Sequence, residues 1–116
     1  MASEPEPSNG GETNAVEIAS REQLTEIIDA NKTVLVDFYA DWCGPCKVME
    51  PVVETIAERA DESVRVVKVD TEAYPEVADD AGVRGLPTFV VYEDGEAVDR
   101  HLGIVDPETL GSAVTR

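Results

Sequence analysis

The sequence predicts an α/β fold, built as a central mixed β-sheet of about five strands flanked by about four helices on both faces. The run of β-branched and aromatic residues from Thr33 to Ala40 is typical of a central strand buried on both sides. Strand and helix patterns alternate before and after it, which favours parallel strands joined by helices. Asp94-Gly95 then marks a tight turn, so the sheet should end in an antiparallel hairpin. The 116 residues fit one domain.

The elements before the central strand are short. Val16–Ala19 is a strand candidate. Ser20 should cap the first helix, with Gln23 three residues later completing a capping box. Asn31 should end that helix in a left-handed conformation.

A long helix and a third strand follow the central strand. The helix is predicted from Pro45 to about Ala60, with Val48, Val52 and Ile56 on its apolar face. Val64–Val69 (VRVVKV) is rich in β-branched valine and predicts the next strand.

The last part of the chain should contain two short helices and the hairpin. A helix is expected to begin at Pro75 and to be terminated by Gly82. Thr88–Tyr92 and Ala97–Leu102 should pair across the tight turn. Asp106 should cap the final helix.

The first residues differ in composition from the rest. Residues 1–14 contain prolines, glycines and glutamates with almost nothing apolar, which predicts a disordered acidic tail ahead of a folded domain at 15–116. This stretch has neither the basic nor the apolar region of a secretory signal, so a cytoplasmic protein is expected.

Charge is the unusual property of the composition. There are 25 Asp and Glu against 9 Lys and Arg, a formal net charge of -16. Nucleic-acid binding and binding to anionic membranes both require basic patches, so neither is expected. No apolar run reaches the length of a transmembrane helix. This acidity, with few lysines, favours a protein adapted to molar salt, where the repulsion between carboxylates is screened. The alternatives are an acidic protein from an ordinary organism and an acidic protein that binds a basic partner.

The two cysteines, Cys43 and Cys46, have the spacing C-x-x-C. With one histidine far along the chain, they cannot complete a four-ligand zinc site without a second subunit, and an iron–sulfur cluster normally needs four cysteines. No metal is therefore expected, and redox chemistry is the leading use of the pair.

The position of Cys43 predicts a reactive thiol. It lies where a buried strand ends and a helix begins, so its thiolate would face free backbone N–H groups and the positive end of the helix dipole, which lowers a thiol pKa. Gly44 should leave the sulfur accessible, and Pro45 should stiffen the helix start. Cys46, about one turn in, should point inward.

Two segments resemble the thioredoxin family. The stretch from Val36 to Lys47, containing W-C-G-P-C, resembles the family's active-site segment, and Gly82–Phe89 (GVRGLPTF) resembles its cis-proline segment. The resemblance extends roughly from Val16 to the end. It implies the thioredoxin fold and a monomeric thiol–disulfide oxidoreductase that needs no bound cofactor. Disulfide-containing proteins would be its substrates, and a flavoprotein thioredoxin reductase would return its electrons.

The same resemblance implies roles for further residues. Asp37 would exchange a proton with Cys46, and Lys68 would be its basic partner; the alternative is that Asp37 only caps or pairs structurally. Sequence alone favours a trans bond before Pro87, and only the resemblance implies cis. The expected substrate-contacting surface comprises Trp42, Gly44, Pro45, Gly85, Leu86, Pro87, Gly103 and Ile104. The stretch from Trp42 to Cys46 and the pair Leu86–Pro87 should form a nearly uncharged strip around the chemistry.

Two alternatives to a disulfide reductase stay open. One is a disulfide oxidase or isomerase of the same fold, although Gly44-Pro45 within the motif resembles the reductants of the family. The other is a binding or scaffold subunit in which the dithiol is incidental. A scaffold need not keep the set Cys43, Cys46, Asp37 and Pro87, so the intact set favours an enzyme.

Overall fold

The computed structural model describes residues 14–115 and contains five strands and four helices. The predicted tail falls almost wholly on residues 1–13, outside the described part. The strands are β1 (Val16–Glu17), β2 (Thr33–Tyr39), β3 (Val64–Asp70), β4 (Thr88–Glu93) and β5 (Glu96–Leu102). The helices are α1 (Arg21–Ala30), α2 (Gly44–Arg59), α3 (Pro75–Asp80) and α4 (Pro107–Val114).

The strands form one mixed sheet in the order β1-β3-β2-β4-β5. β1, β3 and β2 are parallel, whereas β4 is antiparallel to both β2 and β5. The predicted mixed sheet with a closing hairpin is therefore confirmed. Its register places Asp37 of β2 opposite Lys68 of β3.

β2 is the middle strand of the sheet, and helices cover both of its faces. Leu35 belongs to the apolar cluster formed with α2 and α4, and Val34, Val36 and Phe38 belong to the cluster formed with α1 and α3. Alternation along the strand puts Asp37 on the same face as Leu35, the face that α2 covers. An ionisable side chain therefore lies within an otherwise apolar layer under α2.

The predicted apolar face of α2 is correct at Ile56, which is buried, and wrong at Val48, while Val52 is partly buried. Met49 and Val53 are 2% and 1% exposed, whereas Val48 is 57% exposed. Apolar residues occur at both registers, so periodicity alone did not distinguish them. The start of the helix determines which side of α2 faces the core, because Cys43 is the N-cap and Cys46 then faces inward.

The two ends of α1 show one confirmed prediction and one wrong one. Ser20 Oγ accepts a 3.0 Å hydrogen bond from the Gln23 backbone N–H, as a helix cap should. Asn31 is extended (φ -126°) and not left-handed, and its side-chain amide donates to the Ile27 carbonyl at 2.9 Å. One of the last carbonyls of the helix, that of Ile27, thus receives its hydrogen bond from the Asn31 side chain. In a left-handed cap, a backbone N–H would have donated this bond.

No helix between residues 14 and 115 is both long enough and apolar enough to cross a bilayer.

Candidate active site

Cys43 and Cys46 lie where β2 has ended and α2 begins, and a disulfide joins them. Cys43 caps the helix: its Sγ accepts a 3.1 Å hydrogen bond from the backbone N–H of Cys46. The first N–H groups of a helix have no partner within the helix, and together with the dipole they favour negative charge at this point. In the reduced state the same geometry would stabilise a thiolate on Cys43.

The disulfide is more enclosed than the sequence suggested. Cys43 is 4% exposed and Cys46 is 8% exposed. Leu86 packs against the small cluster that the two cysteines form with Ala40, so the expectation of an accessible Cys43 sulfur is wrong for this disulfide form. A substrate must therefore approach through the cleft beside Leu86.

Leu86 is followed by a cis peptide bond to Pro87, which is the isomer that the family resemblance implied. Two hydrogen bonds fix the surrounding backbone. The Gly103 N–H donates to the Pro87 carbonyl at 2.9 Å, and the Thr88 hydroxyl donates to the Gly85 carbonyl at 2.6 Å. The segment before β4 is thus tied to the end of β5.

A cleft of about 500 Å³ opens over Cys43. Five of the predicted substrate-contacting residues line it: Trp42, Gly44, Pro45, Gly85 and Leu86. Three others, Pro87, Gly103 and Ile104, are not part of its lining. Pro87 is buried, whereas Ile104 is 63% exposed and presents an apolar side chain to solvent close to the Gly103–Pro87 contact.

Six further residues that line the cleft were missed by sequence reasoning. They come from α3 and the segments next to it: Thr71, Pro75, Ala78, Asp79, Val83 and Arg84. Asp79 and Arg84 bring two charges of opposite sign to the cleft, outside the nearly uncharged strip expected around Trp42 to Cys46 and Leu86–Pro87. The sequence predicted α3 but contained no signal for the face of the sheet on which it packs.

A hydrogen bond fixes the orientation of the Trp42 ring, although the residue is 68% exposed. Its indole N–H donates a 3.0 Å hydrogen bond to a carboxylate oxygen of Glu72, in the turn after β3. The Glu72 N–H in turn donates to Asp70 Oδ1 at 2.9 Å. The aromatic surface beside Cys43 is therefore oriented by an acidic turn.

Asp37 lies on the other side of the cysteine pair and is 5% exposed. Its Oδ1 is buried without a hydrogen-bond partner among residues 14–115. Burial raises the pKa of this carboxyl to about 7, and nearby Lys68 opposes that rise. A carboxyl group with this pKa can both accept and donate a proton near neutral pH.

The groups around Asp37 form a mixed-charge cluster. Lys68 Nζ lies 3.4 Å from Glu50 Oε2 and 4.8 Å from the centre of the Tyr39 ring. The Tyr39 hydroxyl donates a 2.7 Å hydrogen bond to Glu17, and burial raises the pKa of both of these groups. Glu17, Tyr39 and Glu50 were not expected from the sequence, although Glu50 follows Cys46 by four residues and so shares its side of α2.

A small cavity of about 20 Å³ connects this cluster to the dithiol. Asp37, Cys46, Glu50 and Lys68 are among the residues that line it. A space of this size can admit about one water molecule. The arrangement can therefore pass a proton between Cys46 and Asp37, while the cleft gives a substrate access to Cys43. Among residues 14–115, no three His, Cys, Asp or Glu side chains are grouped so that they could hold a metal ion.

Comparison with known proteins agrees with this geometry. A model of the Thioredoxin family matches residues 15–116. Thioredoxin from Pyropia yezoensis is 44% identical over 91 residues, which are 78% of this chain and 85% of that protein. Thioredoxin 1 from Synechococcus elongatus is 42% identical over the same shares of the two chains.

Solved structures give the same result. A mutant thioredoxin from Halobacterium salinarum NRC-1 superposes with a TM-score of 0.82 and 40% identity, covering 87% of this chain and 88% of that one. Thioredoxin from Malassezia sympodialis superposes with a TM-score of 0.80 and 36% identity, covering 89% of this chain and 90% of that one.

Proposed function

The chain belongs to the thioredoxin family of thiol–disulfide oxidoreductases, and from that membership we propose how its residues divide the reduction of disulfide bonds in other proteins. One observation carries the proposal: the two faces of the cysteine pair are different. Cys43 lines an open cleft, and Cys46 lines a separate small cavity together with Asp37, whose carboxyl has a pKa of about 7. Such an arrangement suits one sulfur that attacks a substrate and a second that resolves the intermediate.

The first half of the reaction uses Cys43. Its thiolate, stabilised at the start of α2, attacks one sulfur of the substrate disulfide. A bond forms between Cys43 Sγ and that sulfur, and the other substrate sulfur leaves with the electron pair and takes up a proton. Trp42, Gly44 and Pro45 contact the substrate on one side of the cleft, and Gly85 and Leu86 on the other.

The second half uses Cys46 and Asp37. The Cys46 thiol gives its proton to the Asp37 carboxylate, through the space between them, and the thiolate attacks Cys43 Sγ. The bond from Cys43 to the substrate breaks, and the second substrate sulfur leaves with its electron pair and is protonated. Lys68 tunes the charge on Asp37. Pro87, Gly103 and Ile104 complete the substrate surface beside the cleft.

The cycle closes when a partner returns two electrons and two protons to the disulfide. That partner is a thioredoxin reductase, and the substrates are disulfide-containing proteins. The chain acts as a monomer, without nucleic acid or membrane. A cytoplasmic location fits a dithiol that must be kept reduced. The net charge of -16 and the similarity to a thioredoxin from Halobacterium salinarum support a salt-rich cytoplasm.

The test is the reduction of insulin disulfides by dithiothreitol, with and without the protein, in multi-molar KCl. The wild type should accelerate the reaction, and Cys43→Ser should abolish the acceleration. Equal acceleration by Cys43→Ser would refute the assigned role of Cys43, and no acceleration by the wild type would favour the scaffold alternative. Faster refolding of scrambled ribonuclease than reduction of insulin would favour an isomerase.

The proton transfer has its own test. Asp37→Asn should slow turnover and change its pH profile between pH 6 and 8, because the amide cannot accept a proton; only the pH dependence of thiolate formation on Cys43 and dithiothreitol remains. A pH profile identical to that of the wild type would eliminate Asp37 as the proton acceptor.

A further inference from the structure

The ammonium of Lys68 is directed to Glu50 and not to Asp37. Lys68 and Asp37 are register partners on adjacent strands, and no ion pair within 4 Å joins them among the described residues. Lys68 Nζ instead lies 3.4 Å from Glu50 Oε2. The cation nearest to the buried carboxyl is therefore engaged by a different carboxylate.

The exposure of the two partners explains this choice. The Lys68 side chain is 15% exposed, and the Glu50 side chain is 52% exposed. Burying an ion pair costs more than forming one that keeps contact with water, because both charges must lose their hydration. An ammonium held at Glu50 stays closer to solvent than one that turned to Asp37.

From this geometry we propose that Glu50 is a positioning residue for the thiol–disulfide reaction: it holds the Lys68 ammonium and so leaves Asp37 without a cation partner. This inference rests on the proposed role of Asp37 as the proton acceptor. Direct repulsion between the carboxylates of Glu50 and Asp37 acts in the same direction, since both line the small cavity. Glu50 thereby keeps Asp37 a base suited to neutral pH.

Other charged groups around Asp37 also act on its pKa, so Glu50 accounts for only part of the shift. Glu17, on β1, repels the Asp37 carboxylate, and its own carboxylate accepts the Tyr39 hydrogen bond. Asp41 and Lys47 complete the charged lining of the cavity, one of each sign. Glu50 is the only carboxylate among the described residues that forms an ion pair with Lys68, and so the one whose removal would free the ammonium.

The test measures the titration of Asp37 directly. The ¹³C shift of its carboxyl carbon is followed against pH in the dithiol protein, in wild type, Glu50→Gln and Glu58→Gln. Glu58 is an exposed glutamate on the same helix, so its substitution changes the net charge equally without touching Lys68. The Asp37 midpoint should fall by about one pH unit in Glu50→Gln and stay unchanged in Glu58→Gln. Equal midpoints in the two variants would overturn the proposal.

A second pair of variants separates positioning from repulsion. In a Lys68→Gln background there is no ammonium to release, so adding Glu50→Gln should shift the Asp37 midpoint by less than it does in the wild-type background. The same shift in both backgrounds would mean that Glu50 acts by repulsion alone, and positioning would be refuted.

The outcomes remain distinct from those of the proposed function. If Asp37→Asn leaves the pH profile of insulin reduction unchanged, the proton transfer is wrong whatever the titration of Asp37 shows. If Asp37→Asn changes the pH profile but the Asp37 midpoint in Glu50→Gln equals that in Glu58→Gln, only the role of Glu50 is wrong.

Discussion

The indole N–H of Trp42 donates a 3.0 Å hydrogen bond to the carboxylate of Glu72, which links the residue before Cys43 to the turn after β3. Trp42 is 68% exposed, so packing alone does little to fix its orientation. We expect Glu72→Ala to loosen the indole and to weaken the binding of protein substrates by roughly two- to tenfold, the worth of one such hydrogen bond. Glu72→Gln keeps an acceptor oxygen and should stay close to the wild type.

The measurement uses two substrates and one fluorophore. Trp42 is the only tryptophan in the sequence, so its emission and anisotropy report on this contact alone. KM should rise for insulin and stay unchanged for a small disulfide such as 5,5′-dithiobis(2-nitrobenzoate), which needs little of the surface. A KM for insulin that is unaffected in Glu72→Ala would show that the hydrogen bond does not orient a substrate surface.

Asp37 should make the stability of the protein depend on pH. Its pKa is about 7 in the folded protein against an ordinary value of 3.8, so the folded state binds this proton more tightly than the unfolded chain does. The stabilising contribution is full below about pH 4 and is lost as the pH rises to about 7, by up to about 4 kcal/mol. Asp37→Asn carries no such proton.

The check is denaturant unfolding of the disulfide form at pH 4, 6 and 8 in molar KCl. The free energy of unfolding of Asp37→Asn, relative to the wild type, should increase steadily from pH 4 to pH 8. Glu58→Gln, with its exposed side chain, should show no comparable trend. A constant difference between Asp37→Asn and the wild type would mean that Asp37 titrates normally in the folded state.

The order of elements was predictable because local signals for it are strong. The apolar run of β2, the cap at Ser20 and the turn at Asp94-Gly95 each depend on a few adjacent residues. The side of α2 that faces the core was less predictable, since Val48 and Met49 offer equally good apolar registers. Only the position of the helix start at Cys43 decides between them.

The cluster around Asp37 was only partly predictable. Strand adjacency suggested Lys68, and the register confirms that the two residues are opposite each other. Glu17 and Glu50 look like ordinary surface acids among the 25 acidic residues. They reach Asp37 only because β1 pairs with β3 and α2 packs over the sheet, and a single sequence has no local signal for either contact.

Two glycines with open space around them should respond oppositely to alanine. A Cβ added at Gly103 or at Gly111, in α4, would meet nothing within 4 Å. Gly103 differs because its φ is +87°, in the left-handed region. Gly103→Ala should therefore destabilise the protein by about 1–2 kcal/mol through backbone strain alone. Gly111→Ala should stabilise it by about 0.5–1 kcal/mol, because alanine loses less entropy in a helix. Thermal unfolding of both variants checks this, and a shift of the same sign in both would contradict it.

The net charge of -16 should make the fold depend on salt. Carboxylates on one surface repel each other in dilute buffer, and at about 1 M salt the Debye length falls to about 3 Å, which removes most of this repulsion. The free energy of unfolding should rise from low salt to molar KCl. Replacing three exposed acids together (Glu58→Gln, Glu62→Gln and Glu96→Gln) should reduce the salt dependence by raising the stability at low salt. Screening of charge predicts this flattening, whereas a general effect of salt on apolar burial does not. An equal salt dependence in the wild type and the triple variant would therefore locate the effect in the core and leave the acidic surface to another role, such as contact with a basic partner.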